Sequence, residues 1–192
     1  DFWTGEEFRK FIDSVMNKRL SYMAFMTLYW TGMRLGELLA LNPKDVDLKK
    51  RTISITKSYQ RLGKKDVITP PKTPKSKRVI TIPEFLAADI KDYMDSLYDL
   101  QEDDRLFPIT KYYLEHEMQR GIKESGVKRI RVHDLRHSHA SMLIELGFSP
   151  LEIANRLGHE KVETTLNTYA HLYPNKQTKL AERLDSEYRE DL

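Results

Sequence analysis

The apolar residues of this chain change their spacing twice, and that change limits the folds open to it. Before residue 42 and after residue 83 they recur three and four positions apart, the period of a helix packed on one face. Between Val46 and Ile82 the pattern shifts. Thr52-Ile53-Ser54-Ile55-Thr56 alternates and is rich in β-branched residues, and Val67-Ile68-Thr69 and Val79-Ile80-Thr81-Ile82 read as two more short strands. Gly63 and the Pro70-Pro71 pair supply the turns. The expected fold is therefore mainly α with a small three-stranded antiparallel β-sheet, an α+β class.

The helical flanks carry their own punctuation. Thr4 and Glu7 form a capping box ahead of the stripe Phe8, Phe11, Ile12 and Val15. Residues 22–30 are apolar almost throughout, which predicts a helix buried on most sides and stopped by Gly32. A short helix carrying Leu35, Leu38 and Leu39 stops before Asn42-Pro43. Pro83 opens a helix with Leu86, Ile90, Tyr93, Met94 and Leu97 on one face, and 101–104 is an acidic loop. Thr110 caps a helix that ends near Gly126. A further helix begins at His133 and runs to Gly147. Ser149, Pro150 and Glu152 cap another, closed by Gly158. Tyr169 falls on a later short periodic run. The length of 192 residues suits one domain, 1–192, and no internal repeat or boundary divides it. Residues 175–192 form a tail helix with Leu180, Ala181, Leu184 and Tyr188 on one face, a stripe that must be buried in its own domain or in a neighbouring copy.

Composition excludes several classes of function. No apolar run reaches membrane-span length, and the N-terminus lacks the pattern of a secretory signal, so no membrane association is expected. There is no cysteine, which rules out thiolate zinc sites and disulfides and makes a reducing cytoplasmic setting the default. The net charge of +3 is modest but unevenly spread. Residues 49–78 hold eleven Lys or Arg against one acid, Asp66, whereas residues 79–117 hold ten acids against three bases. A basic block in an otherwise balanced chain points to a polyanion partner on one face; an isolated run of this kind also reads as a solvated basic hairpin.

Residues 133–169 concentrate the chemistry. His133 and Arg136, three apart, would share a helix face. His159 follows the Gly158 helix stop, and Tyr169 comes ten residues later. A guanidinium to grip an anion, imidazoles to handle protons and a phenol to attack suit a phosphodiester. Upstream, Arg34 follows Gly32, with Glu37 three residues on to orient it; standing alone, the motif reads as an ordinary Arg–Glu surface pair. Lys72, in a proline-rich turn, could protonate a leaving group or could be a solvated lysine, and its neighbours Lys75, Lys77 and Arg78 leave that open. His133 and His137 are four apart, as in a zinc-binding HExxH, but Asp134 replaces the glutamate, no third ligand is evident and Arg136 would stand between them, so no metal or other cofactor is expected. His139 reads as a core or capping histidine, and His171 as a helix-end one.

Five blocks taken together resemble one family. Thr31-Gly32-x-Arg34-x-x-Glu37, Lys72-Thr73, His133-x-x-Arg136, Leu157-Gly158-His159 and Tyr169-Ala170-His171 look like the catalytic signature of the tyrosine recombinases, or phage integrases, in the family's order and over nearly the whole chain. The resemblance implies the catalytic-domain fold of that family, with the usual N-terminal core-binding domain absent. It implies site-specific cutting and rejoining of double-stranded DNA through a 3′-phosphotyrosyl link, without metal or ATP, in the bacterial cytoplasm. Tyr169 would attack the phosphate and expel the 5′-hydroxyl. Arg34 and Arg136 would stabilise the transition-state charge, Lys72 would protonate the leaving oxygen, His133 would exchange the tyrosine proton, and His159 would hydrogen-bond the phosphate. Lys75, Lys77, Arg78, Lys128, Arg129 and Arg131 would contact the DNA backbone. Such enzymes act as tetramers on paired sites, and the tail resembles the segment they exchange between neighbours; the isolated domain could be monomeric. A type IB topoisomerase has a similar residue set, and a DNA-binding module without catalysis is the remaining alternative.

Overall fold

The structure is a computed structural model, and it describes residues 1–190. Three helices come first, α1 (Gly5–Val15), α2 (Arg19–Thr31) and α3 (Leu35–Leu39). Five short strands follow, β1 (Val46–Asp47), β2 (Thr52–Ile55), β3 (Ser58–Leu62), β4 (Lys65–Thr69) and β5 (Arg78–Thr81). The rest is helical: α4 (Glu84–Asp95), α5 (Lys111–Ser125), α6 (Asp134–Glu145), α7 (Pro150–Leu157), α8 (Val162–Tyr169) and α9 (Gln177–Glu190). The predominantly α architecture with small antiparallel sheets is the one the apolar spacing predicts. Both capping boxes form, Thr4 with Glu7 and Ser149 with Glu152. Gly32, Gly126 and Gly158 each end a helix in the left-handed conformation, which an L side chain enters only with strain.

The strand pairing differs from the expectation. The three-stranded sheet has the order β1-β2-β5, with Ile53 opposite Ile80, while β4 leaves it and pairs with β3 as a separate hairpin. Two features hide this in the sequence. Strand β1 is two residues long, and β3 buries only Tyr59, so neither shows alternation. The hairpin turns at Gly63-Lys64, with Gly63 at φ 62°, where a two-residue loop favours glycine. Two contacts fasten the hairpin to the body. The Arg105 guanidinium lies 3.8 Å over the Tyr59 ring, and Gly36 leaves room for Ser58, whose Oγ a Cβ at residue 36 would overlap. The hairpin is thereby held beside α3 and Arg34.

One large core joins α1, α2, α4, α5 and the inner face of the three-stranded sheet. Phe8 stacks on Tyr29 at 3.7 Å between centroids, and Phe11 meets Phe25 edge-on. Helices α1 and α5 approach closely because Gly121 has no side chain to displace Phe11 and Val15. A smaller cluster at the C-terminal end contains Ala140, Ile144, Ile153, Leu157 and Tyr169. The tail helix α9 adds to neither. None of its described residues is buried, and Leu180, Leu184 and Tyr188 are each more than half exposed, so the stripe finds no full cover among the described residues. Residues 191 and 192 of the expected tail lie outside the described residues.

Where α5 meets α2 a carboxylate is buried. Glu117 accepts from Lys18 Nζ at 2.7 Å, Ser21 Oγ at 2.9 Å and Arg120 at 3.1 Å. Burial pushes its pKa up, but the bonds from Arg120, Lys18 and Ser21 outweigh burial and hold it at about 2. A folded-state pKa below the ordinary 4.5 gives stability that is complete above pH 4.5 and lost as pH falls toward 2. Glu117→Gln is therefore expected to lower the melting temperature at pH 7 and to flatten its decline between pH 5 and pH 3. Parallel melting curves for the two proteins across that interval would show that Glu117 contributes no pH-linked stability.

Candidate active site

Four of the five sequence blocks contribute to one cleft of about 1410 Å³, whose walls include Arg34, Lys72, Arg131, His133, His159 and Thr164; the block that carries Tyr169 does not line it. Arg34 enters as the N-cap residue of α3. Its backbone N–H donates to Glu37 Oε2 at 2.8 Å, and its guanidinium donates to Glu37 Oε1 at 3.2 Å. Glu37 is buried and takes two further bonds from Arg78, at 3.0 and 2.9 Å. Burial alone would raise the Glu37 pKa, but the Arg78 and Arg34 contacts hold it below the ordinary carboxylate value. Lys72 is exposed in the loop after β4, on the cleft wall and away from the hairpin tip at Gly63.

Arg78 departs from its expected place on the DNA-binding surface. Its side chain is 7% exposed, paired with Glu37, and it donates to the carbonyls of Ser76 and Arg156 at 2.9 Å each. It also packs against Gly158, where a Cβ would overlap the guanidinium. The β5 strand alternates, so Arg78 and Ile80 face the same side, and the basic run around Arg78 masks that inward phase. Lys75, Lys77, Lys128 and Arg129 are exposed but do not line the cleft; Lys128 also pairs with Glu7. Arg131 lines the cleft while bonded to Asp134 at 2.8 and 3.1 Å.

His133 precedes the first turn of α6 as its N-cap residue, one position outside the helix predicted to include it. Arg136, in that first turn, is buried and spans two helix ends, donating to Gly32 O and Leu157 O at 2.8 Å each. Burial and the nearby Arg34 lower its pKa to about 9, which leaves it a cation at neutral pH. His159 follows the turn at Gly158, and its Nδ1 lies 2.7 Å from the buried Thr165 hydroxyl. Burial, with Arg136 and Arg34 adding repulsion, pushes its pKa down to about 4, so the ring is neutral at pH 7. His133 is also shifted down, by burial and then by His137 and Arg136.

Tyr169 ends α8 and is 4% exposed. Its hydroxyl lies 2.6 Å from Nδ1 of His137, and burial pushes its pKa up to about 12 against the opposing pull of Arg136. His137, weighed in the sequence only as half of a zinc pair, is thus the nucleophile candidate's direct neighbour; its spacing of four from His133 was the available signal. Thr165, four residues before Tyr169, gave no signal, because its role depends on the fold bringing it under His159. His139 is buried as expected and accepts from Arg156 Nε at 2.9 Å. Among the described residues no three His, Asp or Glu side chains group as metal ligands would, and no helix is long and apolar enough to cross a membrane.

A family model described as the phage integrase family matches residues 2–176. The ICEBs1 integrase of Bacillus subtilis (strain 168) is 36% identical over 198 residues, covering 96% of this chain and 54% of that protein. The integrase of Staphylococcus phage L54a is 33% identical over 175 residues, covering 81% of this chain and 49% of that protein. The chain thus spans about half the length of these curated relatives. Among solved structures, a Tn1549 transposon integrase in complex with circular intermediate DNA superposes with a TM-score of 0.80 at 21% identity, over 98% of this chain and 67% of that one. The catalytic domain of bacteriophage HP1 integrase superposes with a TM-score of 0.66 at 21% identity, over 95% of this chain and 93% of that one. At these identities the two structures establish the fold.

Breaking the buried Arg78–Glu37 pair from one side strands a charge. Arg78→Met should destabilise the fold by on the order of 3 kcal/mol, as loss of one partner of a buried pair does. The paired change with Glu37→Gln should recover part of that loss, because the two effects are coupled. Lys75→Ala with Lys77→Ala should leave stability almost unchanged. Urea unfolding with a constant slope reads all three, and strictly additive losses would show that the pair is not coupled.

Proposed function

The chain belongs to the phage integrase family of tyrosine recombinases, and from that premise we propose that it is the catalytic domain of a site-specific DNA recombinase. In this reading it cleaves and rejoins double-stranded DNA through a 3′-phosphotyrosyl intermediate during integration or excision of a mobile element. The observation that carries the reading is the convergence of Arg34, Lys72, His133 and His159 on one cleft, with Arg136 buried in electrostatic range of Arg34 and His159.

The chemistry follows from what each group can do. Arg34 offers a planar fork to the non-bridging oxygens of a phosphate, and Arg136, fixed behind it by two helix-end carbonyls, adds positive charge that is already in place, so little reorganisation accompanies the transition state. Neutral His159 donates a hydrogen bond from the ring nitrogen that Thr165 does not occupy. The phenolic oxygen of Tyr169 forms the bond to phosphorus as the bond to the 5′-oxygen breaks. Lys72 delivers a proton to that departing oxygen, and His133 receives the phenolic proton. The new phosphodiester to tyrosine is chemically close to the one broken, so the reverse attack by a 5′-hydroxyl rejoins the strand without ATP. The exposed bases Lys72, Lys75 and Lys77 on one loop, with Lys128, Arg129 and Arg131 on another, supply backbone contacts that carry no sequence information. The uncovered stripe of α9 supports assembly of several copies on paired sites, each tail seated on a neighbour.

Two measurements test the reading. The protein incubated with a pool of nicked duplexes of randomised sequence should yield a denaturation-resistant protein–DNA adduct, and Tyr169→Phe should yield none. An adduct formed by the Phe variant would remove Tyr169 from the nucleophile role. Lys72→Ala should slow adduct formation by about 10²-fold or more on ordinary DNA, the range for loss of a positioned acid. Replacing the 5′ bridging oxygen with sulfur, whose departure needs no proton, should rescue that variant and leave Arg34→Ala slow. Equal rescue of both would take the acid role away from Lys72.

A further inference from the structure

We propose that His137 is the residue that holds the nucleophile at rest: its imidazole Nδ1 accepts the hydrogen bond of the Tyr169 hydroxyl, keeping that hydroxyl protonated and turned out of the phosphate cleft until the contact opens. The part about attack rests on the recombinase reading above; the contact itself does not.

Three observations support this. The first is the contact, 2.6 Å between Nδ1 and the phenolic oxygen. It is the only hydrogen bond that the Tyr169 hydroxyl makes among the described residues, and a buried hydroxyl proton needs an acceptor. The arrangement that satisfies it has the phenol donating to a neutral imidazole. The second is location. His133, one turn before His137, lines the cleft, whereas neither His137 nor Tyr169 does. The His137 ring sits between the other two, edge-on to His133 at 5.5 Å and tilted against Tyr169 at 5.6 Å. Tyr169 is thus drawn toward α6, into the small cluster of Ala140, Ile144, Ile153 and Leu157. The third is the mismatch in acidity. Burial raises the phenol to about 12, while burial first of all lowers the His137 imidazole below its ordinary value. Proton transfer within this pair runs steeply uphill, which suits a restraint and does not suit a general base acting from the same position.

The constraint has a simple consequence. Attack requires the phenolic oxygen to exchange His137 for the phosphate held by Arg34 and His159. A phosphate in the cleft, or a shift of α8, that competes for the hydroxyl opens the contact. Without such a competitor the nucleophile stays inert.

The test begins without DNA. Tetranitromethane nitrates accessible tyrosines, and mass spectrometry of the digested chain reports the rate at Tyr169, with the fully exposed Tyr98 as internal reference. His137→Phe keeps an aromatic ring and removes the acceptor, so nitration of Tyr169 should quicken about fivefold relative to Tyr98, the factor that one net hydrogen bond is worth. His137→Asn places a polar atom near the position of Nδ1 and should stay close to the unsubstituted rate. On the nicked-duplex pool, His137→Phe should form the Tyr169 adduct faster than the unsubstituted protein. Should His137→Phe melt early, His137→Leu replaces it in the same comparison with His137→Asn. Equal nitration of the acceptor-less and Asn variants overturns the restraint. Loss of the adduct in His137→Phe with Tyr169 nitration unchanged also overturns it and makes His137 a proton acceptor instead. Faster nitration in a protein that forms no adduct with any variant keeps the restraint and defeats the recombinase reading.

Discussion

The buried carboxylate of Glu37 is the joint on which the site depends. A carboxylate taken out of water must be surrounded by donors, and here one donor is local and the other comes from a distant strand. Arg78 reaches it from β5 and Arg34 from the start of α3. Because Arg78 also bonds the carbonyls of Ser76 and Arg156 and packs on Gly158, one side chain fixes the loop carrying Lys72, the helix start carrying Arg34 and the turn carrying His159. None of these segments is long enough to hold its own geometry. Helix α3 is only five residues, and the Lys72 loop is bounded by a two-stranded hairpin and a single 3₁₀ turn.

The same joint makes the site strongly cationic. Arg34 and Arg78 stand close enough to Arg136 to add to burial in lowering its pKa. Arg136 is held there by two carbonyls at helix ends, Gly32 O after α2 and Leu157 O at the end of α7. Such carbonyls have no partner within their own helices and sit at the negative end of the helix dipole, so they suit a buried guanidinium. Burial, and after it the neighbouring positive charge, lowers the pKa of His159 to about 4 and that of His133 below its ordinary value. Neutral imidazoles keep one nitrogen as a donor and one as an acceptor, which in the proposed reaction would let them pass a proton beside a bound phosphate.

Much of this was legible in the sequence, and the remainder failed for identifiable reasons. Helix starts at Thr4, Thr110 and Ser149 and stops at Gly32, Gly126 and Gly158 follow from local chemistry, and each formed as read. Arg34, Lys72, His133 and His159 line one cleft, whereas Tyr169 of the fifth block lies outside its lining. The sheet was half right, because strand partners are long-range choices and β3 has too little burial to show its period. Arg78 was misplaced because a run of basic residues gives no indication which member turns inward. His137 was visible as a neighbour of His133, yet its real partner lies thirty-two residues away on α8.

The C-terminal end is built more lightly than the rest, and that difference bears on how a nucleophile can be both sheltered and available. The main core joins most of the helices, whereas Tyr169 is held in a cluster of five buried side chains and one hydrogen bond. Local opening costs least where few apolar contacts are lost, so α8 can shift without disturbing the arginines, which are locked to Glu37 and to the ends of α2 and α7. Beyond it α9 leaves Leu180, Leu184 and Tyr188 exposed. In the proposed assembly, a neighbouring copy seated on that stripe would pull on the chain shortly after Tyr169. In the proposed recombinase reading the arginines are thus preorganised, while Tyr169 lies on a lightly tethered segment followed by an exposed apolar stripe, and binding energy gained on that stripe would be available to move the tyrosine.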